Sequence, residues 1–389
     1  MKIANRMENL SPSVTMAITA LARELKAQGK DILSFSAGEP DFNTPEVIKQ
    51  AAIQAITDGH TKYTAVEGIP QTKQAIINKL KRDHNLEYNL DHIVISNGAK
   101  HSLFNLFQVL IEKGDEVIIP APYWVTYPEQ VKYSDGVPVI IETDDVSSFK
   151  ITAEQLKDAI TDRTRILLLN TPSNPTGAVY SKEELEAIGK VLEGTDIIVL
   201  SDEMYEKIMY DGKKFTAAAE VSEDMYKRTV TINGLSKAAA MTGWRFGYLA
   251  TPKTELVKSM IKLQGQVTSN VNSITQYAAI PALDGEADET MEVMRKEFEK
   301  RRNVAVESFN AINGLSSFNP DRAFYLFVNI QGVTSDSMKF CADLLEEKGV
   351  ALVPGLAFGT EGYVRFSFAT DLETIEEGIR RIKDFVENK

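Results

Sequence analysis

ILLLN at residues 166–170 leads into PSNPTG at 172–177, then SKEELEAIGKVL at 181–192, then DIIVL at 196–200. A branched apolar run, a turn, an amphipathic helical run and a second apolar run thus follow one another without a break. A strand with one wet face alternates apolar and polar residues. These two runs do not alternate, so both faces are expected to be covered, as in a parallel sheet clad by helices.

The same rhythm extends outward. IVIS at 93–96 precedes a helical run at 101–112; EVIIP at 116–120 and the TVTIN run ending at Asn233 read as further strands. The last hundred residues differ. A long helix at 292–311 is followed by strand candidates at 324–330, 350–354 and 363–368 and a closing helix at 372–387. The expected fold is α/β, with a mainly parallel sheet in a large domain over 45–285. A smaller α+β domain spans 286–389, and the N-terminal segment 1–44, with a helix near 13–28, joins it.

The 389 residues, 43% of them hydrophobic, can build a large core and two domains. A formal charge of -12 argues against nucleic acid or anionic membrane as partner. With one cysteine, Cys341, no intrachain disulfide can form, which fits a reducing compartment. Its apolar surroundings read as a small buried residue. No signal-like apolar core opens the chain and no run reaches the roughly 18 apolar residues of a membrane span, so a cytoplasmic location is expected. The four histidines, His60, His84, His92 and His101, show no metal-ligand spacing and are expected at the surface or as caps, so no metal is expected.

Ligands of open α/β sheets collect beyond the carboxyl ends of the strands, and polar clusters follow several strand candidates here. Ser96-Asn97-Gly98-Ala99-Lys100 opens a helix, where free N–H groups suit a phosphate; an ordinary strand-to-helix turn is the plainer reading of these residues alone. No dinucleotide or P-loop glycine pattern occurs. Asn174-Pro175-Thr176-Gly177 is a turn placed to aim an amide into a site. Asp202, in Ser201-Asp202-Glu203-Met204-Tyr205, ends an apolar strand, where a carboxylate is costly without a cation; a helix cap is the plainer reading. Lys237, in Asn233-Gly234-Leu235-Ser236-Lys237, follows an apolar strand and precedes three alanines, an unusual setting for a solvated lysine. Arg365 lies in the aromatic strand RFSF, either as a surface rung or as an inward cation awaiting a carboxylate.

Taken together these strings resemble the class I aminotransferases of fold type I, which use pyridoxal 5'-phosphate (PLP), and within them the bacterial and archaeal aspartate aminotransferase branch. The resemblance runs from Pro12-Ser13-Val14-Thr15 to Arg365-Phe366-Ser367. SKAAAMTGWRFGY at 236–248 is its most specific string, with NPTG, SDExY and SNGAK in order and spacing. It implies a large domain with a seven-stranded sheet, Lys237 as the lysine that carries the cofactor as a Schiff base, and Arg245 with Gly98 and Ala99 on its phosphate. It implies Trp124 stacked on the ring, Asn174 and Tyr205 at the ring oxygen, and Asp202 at the ring nitrogen. Arg365 and Gly38 match the clamp on the substrate α-carboxylate. Tyr63 matches the tyrosine that reaches the phosphate of a second subunit, which implies a homodimer.

Two departures stand out. Gly234 replaces a frequent serine, leaving Ser236 as a substitute phosphate ligand. Arg322, in Pro320-Asp321-Arg322-Ala323-Phe324-Tyr325, replaces a glycine near the expected mouth of the site.

In this reading a desolvated Lys237 is easily deprotonated, carries the cofactor, and moves the substrate α-proton. The second carboxylate of aspartate needs its own cation, a role the resemblance gives to Lys100 with Ser13 and Thr15. The expected reaction passes the amino group of L-aspartate to 2-oxoglutarate in two half-reactions. Alternatives are an aromatic or prephenate aminotransferase and a PLP-dependent β-lyase. A PLP-fold transcription regulator would add a basic DNA-binding domain that neither length nor charge supports.

Overall fold

A computed structural model of the chain describes residues 1–8 and 10–388. Near its start lies helix α1 (Val14–Ala27), whose N-cap Ser13 accepts from the Met16 N–H at 3.4 Å. Next come β1 (Leu33–Ser34), α2 (Glu46–Thr57) and α3 (Pro70–His84). In α3 proline takes the first turn, where its missing N–H costs nothing, and Asn85 closes the helix at φ 56.

The central sheet is built from β2 (Ile93–Asn97), β3 (Glu116–Pro120), β4 (Val137–Ile141), β5 (Thr164–Asn170), β6 (Ile198–Asp202), β7 (Thr229–Gly234) and β8 (Phe246–Ala250). These seven strands lie in the order β2-β8-β7-β6-β5-β3-β4. β8 alone runs against its neighbours; β3, β4, β5, β6 and β7 pair in parallel. Every residue of β7 and β8 is buried, although β7 (Thr229-Val230-Thr231-Ile232-Asn233-Gly234) alternates polar and apolar residues, because both faces of the central sheet are covered. Helix α4 (Ala99–Leu110) follows β2 directly.

The reversed strand matters for chemistry. Because β8 runs backwards, its first residues arrive at the edge where the parallel strands end. Arg245, just before β8, therefore joins Asn97, Asn170, Asp202 and Gly234 at one edge of the sheet. Reading the 241–248 string as a site motif did not foresee a strand there.

After the 23-residue helix Asp288–Asn310 the chain forms an antiparallel sheet from β9 (Ser316–Ser317), β10 (Tyr325–Asn329), β12 (Val353–Pro354) and β13 (Tyr363–Ser367). β11 (Val350–Ala351) pairs in parallel with β1 instead. The single strand expected over 350–354 is thus two short pieces serving different sheets, with Leu352 between them. The N-terminal segment is stitched in here: the Phe35 N–H donates to the Ala351 carbonyl at 2.9 Å, and the Ser367 N–H to the Phe35 carbonyl at 3.0 Å. The Phe35 and Phe366 rings stack at 4.3 Å. Cys341 is buried, and burial pushes its thiol pKa up. Among the described residues no helix is long and apolar enough to cross a membrane.

Candidate active site

The strand ends and the 36–39 segment enclose a cleft of about 460 Å³. Lys237, Asp202, Tyr205, Asn174, Arg365, Arg245, Ser236, Trp124, Ala99, Lys100, Gly38 and Thr15 all line it.

At its centre the Lys237 amine donates to the Gly38 carbonyl. Burial, and then the nearby Arg365 cation, bring its pKa down to about 8. Asp202 ends β6, and burial pushes its carboxyl up to about 6, restrained by a 2.7 Å hydrogen bond from the Tyr127 hydroxyl. Tyr205 and Tyr325 share a hydrogen bond of 3.0 Å between hydroxyls.

Arg365 is 3% exposed. Its guanidinium donates to the Asn174 side-chain oxygen at 2.9 Å and to the Ser36 carbonyl at 2.7 Å. The rings of Tyr325 and Phe358 flank it at 4.4 and 5.0 Å. Its Nε has no hydrogen-bond partner. Burial of a guanidinium without a facing carboxylate lowers its pKa. A buried cation in that state is prepared for an anion.

At the other end, Gly98 adopts φ +83, and a Cβ there would lie 2.3 Å from Arg245 Nη2. A Cβ on Gly247 would meet the Ala99 nitrogen at 2.2 Å. Two glycines therefore let the start of α4, the β8 backbone and the Arg245 guanidinium converge. Helix-start N–H groups beside a guanidinium form an anion cradle. Lys100 Nζ lies 4.7 Å from the centre of the Trp124 ring, and burial followed by the Arg245 charge lowers its pKa.

Three named residues lie elsewhere. Gly98 stands behind Arg245 rather than on the cleft wall. Ser13 reaches the cleft through Thr15, with their hydroxyls 2.9 Å apart. Tyr63 is 90% exposed and outside the cleft.

The departures have local reasons. A Cβ on Gly234 would stand 2.6 Å from the Phe246 carbonyl oxygen, so the β7–β8 pairing leaves no room for serine. Arg322 is not at the mouth: it is buried behind the wall, donating to the Lys214 carbonyl at 2.9 Å with its guanidinium over Phe215 at 5.8 Å. The surface or capping role expected of His84 fails too, because its side chain is buried between Glu206 and Glu220.

Sequence reading passed over Tyr127, Asn170, Ser36 and Tyr325. Tyr127 sits three residues after Trp124, and its N–H donates to the Trp124 carbonyl at 3.0 Å, so a single turn before the helix Thr126–Tyr133 presents both to the cleft. Asn170 holds the turn that carries Asn174, accepting from its N–H at 2.8 Å.

A family model described as "Aminotransferase class I and II" matches residues 30–382. The chain belongs to this family. An aspartate aminotransferase of Geobacillus stearothermophilus is 49% identical over 100% of this chain and 99% of that protein. An aspartate/prephenate aminotransferase of Nitrosomonas europaea is 46% identical, covering 98% of this chain and 99% of that one. Among solved structures, the Rhizobium meliloti aspartate aminotransferase superposes with a TM-score of 0.96 at 43% identity, over 100% of this chain and 99% of that one. The Thermus thermophilus aspartate aminotransferase with maleate gives 0.95 at 39% identity, over 99% of each chain.

The chain is therefore a PLP-dependent aminotransferase acting on amino acids and 2-oxo acids. The cleft fits the cofactor. The start of α4 at Ala99 beside the Arg245 guanidinium, which Gly98 and Gly247 allow to converge, suits a phosphate; Lys237 offers an amine; and Asp202 offers a buried carboxylate.

Proposed function

We propose that this enzyme is an aspartate:2-oxoglutarate aminotransferase. The observation that carries the reading is the pair of cations facing the cleft beside Lys237 and Arg245: Arg365, buried with a free donor, and Lys100, poised on Trp124. One dicarboxylate can engage both. The names of the relatives support it, as does the maleate, itself a dicarboxylate, held by the Thermus enzyme.

PLP, when bound, supplies an electron sink for charge formed at the amino acid's α-carbon. The side chains divide the remaining work. Arg245, Ala99 and Ser236 would hold the phosphate, with Gly98 letting Arg245 approach the helix start, and Trp124 would cover the ring. Asp202, kept in place by Tyr127, holds a proton on the ring nitrogen. Asn174 and Tyr205 would donate to the ring oxygen. Arg365 grips the α-carboxylate as a planar fork, assisted by Gly38, and so fixes the α-C–H bond. Lys237, with an amine that deprotonates near neutrality, removes and returns the α-proton. Lys100, Ser13 and Thr15 receive the distal carboxylate. The domain division at 44/45 and 285/286, cytoplasmic action and a homodimer completed by Tyr63 belong to the same reading. The extreme exposure of Tyr63 supports the dimer.

The test is the visible spectrum of the PLP-loaded enzyme. L-aspartate should convert the cofactor band to that of the pyridoxamine form, and 2-oxoglutarate should restore it. A band that ignores aspartate but answers phenylalanine would keep the aminotransferase and refute the dicarboxylate assignment. The relatives named aspartate/prephenate aminotransferase lead us to expect that prephenate, a 2-oxo acid, also restores the band.

A further inference from the structure

After β6 the chain runs through turns rather than a regular helix. Its side chains part in two directions. Asp202 and Tyr205 line the cleft, whereas Glu203 and Glu206 are buried, at 0% and 6% exposure. Glu203 accepts from the Ser201 hydroxyl at 2.8 Å and the Ala218 N–H at 3.2 Å. Glu206 is ion-paired with Lys79 and accepts from His84 Nε2 at 2.7 Å. His84 Nδ1 lies 3.4 Å from Glu220, and Asp83 lies 3.2 Å from Lys79 and 2.8 Å from Lys207. Lys79, Asp83 and His84 all belong to α3.

Such a network is expensive. Well-packed apolar side chains in place of buried ion pairs are often as stabilising or more so, so stability alone does not account for it. A turn segment without a helical ladder needs other restraints, and here Asp202 and Tyr205 are each followed by a carboxylate, Glu203 and Glu206, anchored outside the cleft. The same geometry argues against a metal at Asp83, His84 and Glu206, the one trio of ligand-type side chains close enough among the described residues. Two lysines already neutralise those carboxylates.

We propose that Lys79, His84 and Glu206, with Glu203, are positioning residues that hold Asp202 and Tyr205 in register with the cofactor ring. The proposal rests on the site reading above. Burial works against a charged His84, but its hydrogen bonds to Glu206 and Glu220 outweigh it and raise the imidazole to about 10. The His84–Glu206 pair is thus charged on both sides at neutral pH, whereas burial pushes the Glu203 carboxyl up to about 7. Release of the network moves two cofactor-facing groups at once, and misplacement by about 1 Å costs roughly a hundredfold in rate.

The experiment compares His84→Gln and Glu206→Gln with Asp202→Asn, all loaded with PLP. It reads the pH titration of the cofactor's visible band, the PLP dissociation constant, kcat, KM and the melting temperature of the apoprotein. Both network variants should move the band's midpoint in the direction set by Asp202→Asn and weaken PLP several-fold. They should lower kcat roughly tenfold or more and leave KM for the amino donor nearly unchanged. A lowered melting temperature with unmoved midpoint and kcat would overturn the proposal. Should Glu206→Gln fail to fold, His84→Gln decides, because it keeps the Lys79–Glu206 pair. An unmoved band in Asp202→Asn overturns the underlying site reading; a moved band there, with neither network variant following, overturns the network's role alone.

Discussion

Lys237 is where the structure makes its sharpest quantitative statement. Burial and the Arg365 cation bring its amine from the ordinary 10.5 to about 8. At pH 7.5 roughly a quarter of the Lys237 amines would be neutral, against about one in a thousand for an ordinary lysine, a gain of about 200-fold in nucleophile. The assay is competitive acylation of the apoprotein between pH 6 and 10, with labelling of the Lys237 peptide followed by mass spectrometry. The rate should rise with a midpoint near pH 8. Arg365→Met removes a like charge and should raise the midpoint; Asp202→Asn removes an attracting carboxylate and should lower it. A wild-type midpoint at pH 10 or above, or a fall in Arg365→Met, would refute the reasoning. The stability consequence has a fixed sign. The folded pKa lies below the unfolded one, so the unfolded chain binds more protons between pH 8 and 10.5. A penalty of about 3 kcal/mol is fully present below pH 8 and is lifted as pH rises through that window. Apoprotein melting should show a rise there that Lys237→Met abolishes.

Tyr127→Phe removes the hydrogen bond that restrains the Asp202 carboxyl, so its pKa should climb above about 6 and the acid limb of the kcat/KM profile should move to higher pH. Gly98→Ala puts a Cβ 2.3 Å from the Arg245 guanidinium at a φ of +83; PLP affinity, followed by fluorescence titration, should fall roughly five- to 150-fold through strain of about 1–3 kcal/mol. Arg365→Lys keeps the charge but loses the planar fork, so kcat/KM should drop roughly ten- to a hundredfold, with saturation kinetics as the check.

Much of this site was legible because its parts sit at strand ends, and apolar strands are the easiest elements to read. The non-alternating runs ending at Asn170 and at Leu200 placed Asn174 and Asp202, and the small residues around Lys237 marked it as more than a surface lysine. Other features needed three dimensions. The reversed direction of β8 is set by sheet pairing, and its residues were read only as part of a site motif. Tyr127 was hidden because a tyrosine beside a tryptophan reads as core; only its contact with Asp202 distinguishes it. His84 looked like the polar end of a helix, which it is by position. Its burial depends on Glu206 and Glu220, more than a hundred residues away along the chain. Arg322 was placed at the mouth because it stands where the resembled family carries a glycine near the site, but the turn before β10 sends its side chain behind the wall.

The stitching of residues 33–36 to β11 and β13 sets an order on the ribosome. Ser36 and Gly38 emerge early, yet the guanidinium that the Ser36 carbonyl receives is translated more than three hundred residues later. Until Arg365 appears, the early segment has no partner for that carbonyl and the substrate-carboxylate station does not exist. The parallel sheet, with Lys237 and the phosphate cradle, is complete by Ala250. A nascent chain can therefore acquire the means to capture cofactor well before it can hold an amino acid, and maturation of the enzyme ends with the substrate end of the cleft.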